Sequence, residues 1–264
     1  MRNISSNNLI EDNDRLLILN SLGKDASALA DFFAEYQKKK DIKVIAVVFC
    51  VPKNLYLESH TDELLKYWKS RGLDIHLVRH TEKENWEDQK IAQSENLPCS
   101  RCRVLRNKEI KWAIQEYKPN KIAAGFNFTD LQNYFVTMEF ISNFEFDKSR
   151  ITDEVTARRF SYLISRFFMS RNASFDSNVK WILPLLTLES VDIREYLEQN
   201  KIPYLKDKCN FKKERARTLF ESYIEKLHKN YKFEVTYENL IQFLTKHIPF
   251  SEFLSPADNW LNEK

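Results

Sequence analysis

Apolar and polar positions change period several times along the chain. Residues 15–20, Arg-Leu-Leu-Ile-Leu-Asn, form a short continuous apolar run ended by Ser21, Leu22 and Gly23, which predicts a buried strand. Over 25–36, Ala28, Leu29, Phe32 and Phe33 recur at helical spacing. Residues 43–50 are rich in β-branched side chains and predict a second buried strand. Helical spacing returns over 63–68, and 74–79 predicts a third strand. Residues 100–117 read as a long, charged amphipathic helix, and 121–125 as a fourth strand. Helices are expected over 128–140 and 154–168, a short fifth strand over 180–183 running into Pro184, and a helix over 190–199 capped by Ser190.

Strand and helix thus alternate to about residue 200, which predicts an α/β fold: a Rossmann-like parallel sheet with helices on both faces. The remaining 64 residues show no clear strand and predict a helical C-terminal extension, with helices over 211–230 and 237–246. The expected domains are 1–200 and 201–264.

The composition is that of a soluble protein, with 43% hydrophobic and 30% charged residues. The longest apolar run, 45–51, falls far short of the roughly 20 residues that cross a bilayer. The N-terminal stretch has no apolar core of a secretory signal, so a cytoplasmic location without membrane contact is the expectation. The net charge of +3 neither requires nor opposes a polyanionic partner, so local clustering matters more. Only four cysteines occur, at 50, 99, 102 and 209, and in a reducing compartment metal or redox chemistry is a better reading than disulfides.

In open α/β sheets ligands bind beyond the carboxyl ends of the strands. Here the first strand runs into Ser21-Leu22-Gly23-Lys24-Asp25-Ala26-Ser27 and then a helix, whose N-terminus offers free N–H groups to phosphate. Gly23 permits close approach, Lys24 adds charge, Ser21 and Ser27 add hydroxyls, and Asp25 is placed to hold Mg²⁺ or orient the loop. Neither a Walker loop nor a G-x-G-x-x-G fingerprint is present. Ser and Asp also cap helices, so the segment alone reads equally as a turn and a cap.

Leu97-Pro98-Cys99-Ser100-Arg101-Cys102 is a C-x-x-C opening a helix, where the helix dipole and Arg101, Arg103 and Arg106 favour thiolates. Cysteine thiolates suit zinc or an iron–sulfur cluster. Cys209 lies far downstream, just before another expected helix, and Cys50 reads as a buried small hydrophobe. A dithiol redox pair ranks behind both metal readings.

The loop resembles the PP-loop, S-G-G-x-D-S, of the adenine-nucleotide alpha-hydrolase-like ATP pyrophosphatases. Ser21, Gly23 and Asp25 match, whereas Leu22 stands for the first Gly and Ala26 for the last Ser. Leu22 is expected to restrict a backbone conformation that glycine allows, and Ala26 removes a phosphate-facing hydroxyl. With the P-C-x-x-C and Cys209, the whole resembles the tRNA 2-thiocytidine synthetase family of PP-loop tRNA thiolases. The resemblance extends over about 15–228. Gly125 and Asp130 match the family's G-H-x-x-D-D, with Phe126 and Thr129 replacing the His and the first Asp; Pro184-Leu185 matches its R-P-L without the Arg; Ile202-Pro203-Tyr204 resembles the stretch before the third cysteine.

This resemblance implies an ATP-dependent sulfurtransferase that adenylates a tRNA base and exchanges its carbonyl oxygen for sulfur. ATP and Mg²⁺ would be held by Ser21, Gly23, Lys24, Asp25, Ser27 and Gly125, and a [4Fe–4S] cluster by Cys99, Cys102 and Cys209. Lys24, Arg106 and Asp130 would act at the reacting centre. The implied partners are tRNA and a sulfur donor such as a cysteine desulfurase or free sulfide, and a homodimer is possible. Residues 1–200 would then be the nucleotide-binding domain, with the third cysteine in the extension. A PP-loop enzyme acting on adenylyl sulfate or a small molecule, or a non-catalytic metal-bearing RNA-binding protein, are the rivals. Lys206, Lys208, Lys212, Lys213, Arg215 and Arg217 crowd around Cys209 as a basic run suited to RNA. Arg158, Arg159, Arg166 and Arg171, interleaved with aromatics, read as a solvated face over a core stripe.

Overall fold

The structure, a computed structural model, describes residues 8–50, 58–79, 99–141, 170–173, 176–206, 222–223, 226, 230 and 236–247. The chain divides into two compact units, one from Ile10–Gly125 with Ile193–Lys212, the other from Met1–Leu9, Phe126–Asp192 and Lys213–Lys264.

The first unit is a parallel sheet with helical crossovers. Its strands are β1 (Arg15–Asn20), β2 (Lys43–Cys50), β3 (Asp74–Arg79) and β4 (Lys121–Ala123), in the order β3-β2-β1-β4. Leu17 pairs with Ile45 on one side and Ile122 on the other, and all pairings are parallel. Successive residues Leu16, Leu17 and Ile18 are all buried, as a strand covered on both faces requires. Helix α1 (Lys24–Tyr36) buries Leu29 and Phe33 together with Ala26, Ala28, Ala30 and Ala34, whose small side chains let it lie close to its neighbours. Helix α2 (Glu58–Ser70) buries Thr61, Leu64 and Trp68 at helical spacing. It ends in a Schellman motif: Leu73 N–H reaches the Trp68 carbonyl, Gly72 N–H reaches that of Lys69, and Gly72 sits at φ +81°. Helix α3 (Cys99–Tyr117) leads into β4.

The second unit holds helix α4 (Phe128–Ile141), strands β5 (Ser170–Ala173) and β6 (Asp176–Ile182), and helix α6 (Tyr237–His247). The fifth strand expected over 180–183 is β6, and it pairs antiparallel with β5, whose polar Ser-Arg-Asn-Ala sequence carries no strand signal. Helix α5 (Ser190–Gln199) contributes residues to both units and has the expected limits. Ser190 does not cap it: its Oγ is buried without a hydrogen-bond partner among the described residues, and Asp192 accepts the Glu189 N–H at 3.1 Å instead. Of the C-terminal helices, residues 222, 223, 226 and 230 are helical and α6 is present, while the expected helix over 154–168 lies outside the described residues. No helix among the described residues is long and apolar enough to cross a membrane.

Candidate functional site

The loop leaving β1 is pinned at its centre. Asn20 is fully buried, and its Oδ1 accepts the Leu22 N–H at 2.7 Å. Leu22 is also fully buried and has φ +58°. The left-handed region costs a residue with a Cβ roughly 1–2 kcal/mol. The expectation that Leu22 restricts the loop is thus corrected: the leucine adopts the conformation itself, and its burial offsets the strain. Its carbonyl accepts the Leu205 N–H at 2.7 Å and the Ser27 hydroxyl at 3.4 Å. Gly23, by contrast, has an ordinary φ of −74° and caps α1 without a side chain.

Around this loop, Ser21 Oγ accepts the Gly23 N–H at 3.4 Å, and Lys24 Nζ meets Asp25 Oδ1 at 2.6 Å. Ser27 is fully buried, so its hydroxyl serves the loop from within. The N–H groups of the first turn of α1 have no intrahelical acceptor, which suits an anion. Gly125, just beyond β4, presses on this turn: a Cβ there would stand 3.0 Å from the Asp25 carbonyl carbon and 3.1 Å from the Ala26 nitrogen. Only glycine lets the two backbones meet so closely.

Asp130 is in the second unit, at the start of α4. It shares a reciprocal cap with Asn127: Asp130 Oδ2 accepts the Asn127 N–H at 3.2 Å, and Asn127 Oδ1 accepts the Asp130 N–H at 2.9 Å. Thr129, buried, accepts the Ser190 N–H at 2.9 Å and so ties the start of α4 to that of α5.

Cys99 and Cys102 occupy the first turn of α3, three positions apart, with Arg106 exposed one turn further on. Glu109 follows, buried, and burial pushes its carboxyl up to about 7 against the pull of Arg106. Cys209 and the basic run over 208–217 lie outside the described residues, as do Arg158, Arg159, Arg166 and the side chains of Arg171 and Cys50. Among the described residues no three metal-ligating side chains come together.

Two features escaped the sequence reading. Tyr196 on α5 donates to Asp31 on α1 at 2.6 Å, and Arg71 bridges Asp31 and Glu35 at 2.9 Å each. Burial, then the Asp31 contact, pushes the Tyr196 phenol up to about 12. A cavity of about 420 Å³ also opens between α2 and the segment after α5. Only long-range contacts create either, and no local pattern marks them.

No family model matches the chain. Curated proteins do, among them the following three. The tRNA(Ile)-lysidine synthase of Thermosipho africanus is 24% identical over 212 residues, 80% of this chain and 43% of that protein. The cytoplasmic tRNA 2-thiolation protein 1 of Dictyostelium discoideum is 26% identical over 48% of this chain and 37% of its own length. The tRNA-cytidine(32) 2-sulfurtransferase of Pseudomonas paraeruginosa is 30% identical over 139 residues, 51% of this chain and 48% of that protein. The PP-loop resemblance holds. The chain spans less than half the length of these PP-loop relatives. Among solved structures, the U34-tRNA thiolase NcsA of Methanococcus maripaludis, described with its [4Fe–4S] cluster, superposes with a TM-score of 0.65 at 19% identity, covering 98% of this chain and 76% of that one. The α/β fold is therefore shared.

Proposed function

We propose that the chain is an ATP-dependent tRNA sulfurtransferase acting in the cytoplasm. The observation that carries this reading is the contact of Gly125 with the first turn of α1, which sets two loops against each other at the carboxyl ends of β1 and β4. Between them Ser21, Gly23, Lys24 and Asp25 would hold the phosphates of ATP and its Mg²⁺, with Ser27 bracing the loop through the Leu22 carbonyl. The carbonyl oxygen of a tRNA base would attack the α-phosphorus as the bond to the β-phosphate breaks and pyrophosphate leaves. Lys24 stabilises the charge on the phosphates, and Arg106 and Asp130 orient the reacting groups.

Cys99 and Cys102, in the first turn at the positive end of α3, suit thiolate ligands, and Cys209 would complete the set. A [4Fe–4S] cluster there would hold sulfide from the donor for attack on the activated carbon, and the oxygen would leave as part of AMP. The partners are tRNA and a sulfur donor, a cysteine desulfurase or free sulfide. A non-catalytic RNA-binding protein is the second reading, favoured by Asp130, whose carboxylate caps α4.

Anaerobically reconstituted protein, ATP, sulfide and bulk tRNA should yield a thiolated nucleoside by mass spectrometry, with about four iron atoms per chain. Both should fall away in Cys209→Ala. Thiolation undiminished in that variant would contradict the three-cysteine cluster, and none in the wild type would leave the non-catalytic reading.

A further inference from the structure

Helix α3 carries a second set of exposed groups that the reading above does not use. Lys108, Lys111, Trp112 and Gln115 are all exposed, and their spacings of three and four make them one stripe along the helix. Ile110, Ala113 and Ile114, on its other side, are buried. Over 99–115 the sequence has five basic residues, Arg101, Arg103, Arg106, Lys108 and Lys111, and one acid, Glu109. Glu109 is buried, so every exposed charge over 106–115 is positive. The exposed Glu116, with Asp74 acting on the neighbouring Tyr117, closes the cationic stretch at its far end.

Trp112 stands 43% exposed in the middle of this stripe, the largest of the exposed apolar side chains among the described residues. The ring is braced: Tyr117 meets it at 6.0 Å and 85°, and Tyr117 in turn lies 5.3 Å from the ring of His76 on β3. An exposed aromatic held in this way offers contact area at little cost in side-chain entropy. Lysines alone attract any polyanion. A braced ring between them asks in addition for a flat face to stack on, and unpaired nucleic acid supplies both.

We propose that the exposed face of α3 is a docking surface for an unpaired stretch of RNA, with Lys108 and Lys111 on its phosphates and a base stacked on Trp112. The proposal rests on the tRNA reading above and adds the surface of this chain that holds the RNA. At the rise of an α-helix, Trp112 lies about 15 Å along the axis from Cys102, so RNA held there runs toward the cysteine end.

The test is retention of bulk tRNA by the full chain on filters, from about 50 to 200 mM salt. Lys108→Gln with Lys111→Gln should weaken binding about tenfold at the lowest salt and lower the slope of log K against log salt by about 1.5. Trp112→Ala should weaken it about fivefold or more with the slope unchanged, and Trp112→Phe, which keeps a ring, should recover most of the loss. Lys66→Gln with Lys69→Gln removes the same charge from exposed positions of α2 at the same spacing, and should leave affinity and slope as in the wild type. Equal losses in the two lysine pairs would show that net charge alone acts and would overturn the proposal. So would a wild-type slope in the α3 pair, or Trp112→Ala binding as the wild type does. A wild type that retains no tRNA at the lowest salt would overturn the tRNA reading and the surface with it, whereas tRNA retained alike by every variant overturns the surface alone.

Discussion

The strands β1 and β4 carry polar groups at both ends, and the two ends are built on opposite plans. At the amino end Asp14, buried, accepts Lys121 Nζ at 2.7 Å, Asn120 Nδ2 at 2.7 Å and the Glu11 N–H at 2.7 Å, while Asn120 Oδ1 accepts the Arg15 N–H at 2.8 Å. Each of these side chains closes a bond to a neighbour. At the carboxyl end Asn20 Nδ2 is buried without a partner among the described residues, Leu22 is held in a left-handed conformation, and the first turn of α1 presents N–H groups to whatever binds there. A closed network fixes register and commits its bonding capacity to the fold. An open, strained one keeps that capacity for a ligand, which is where backbone strain tends to gather.

The largest effect should come from the closed end. Asp14→Ala leaves the buried Lys121 ammonium with only the exposed Glu11 carboxylate, 3.6 Å away, and should cost about 3–5 kcal/mol in urea unfolding. The protein that remains folded should bind ATP as before. A drop under 1 kcal/mol would show that the network is not what holds this end.

At the open end, Gly125→Val should cost about 1–3 kcal/mol, because its Cβ must push the facing backbones apart, and should weaken ATP binding by about tenfold or more. The two readouts separate the ends: Asp14→Ala moves stability alone, Gly125→Val moves both.

Glu109 gives a pH signature beside the cysteine helix. Its carboxyl titrates near 7 when folded against 4.5 when unfolded, so the folded state holds the proton more tightly between those values. Its contribution is fully present below about pH 4.5 and is lost as pH rises to about 7. Glu109→Gln should therefore flatten the stability profile and exceed the wild type by about 1–3 kcal/mol at pH 8. A variant with the wild-type slope would contradict it.

Strain at Leu22 is read by comparing two truncations. Both lose the buried side chain, but glycine should be better than alanine at this position by about 1 kcal/mol, whereas at Leu17, an ordinary strand position, alanine should be better. The smallest effect is at Lys201, which closes α5 at φ +52° with Ile202 N–H on the Leu197 carbonyl. Lys201→Gly should stabilise by about 0.5–1 kcal/mol.

Much of this architecture is written in local pattern. The runs Leu16-Leu17-Ile18-Leu19 and Val44 to Phe49 announce strands buried on both faces, and α5 begins and ends where its apolar spacing does. The order of motifs along the chain likewise carries the resemblance to PP-loop proteins. What escaped depends on partners distant in sequence. Ser170–Ala173 is a strand only because β6 pairs with it. The left-handed Leu22 depends on Asn20 and on Leu205, far along the chain. Ser190 reads as a cap by residue type, yet Thr129 takes its N–H and Asp192 does the capping. Glu63 and Tyr204 meet at a cavity that no spacing predicts.

That the carboxyl end is the working end is tested most directly by calorimetric titration of the full chain with Mg²⁺–ATP, in the wild type, Asp14→Ala and Gly125→Val. The account predicts binding below about 1 mM in the first two and about tenfold weaker or no binding in the third. No binding in the wild type, or equal binding in all three, would contradict it.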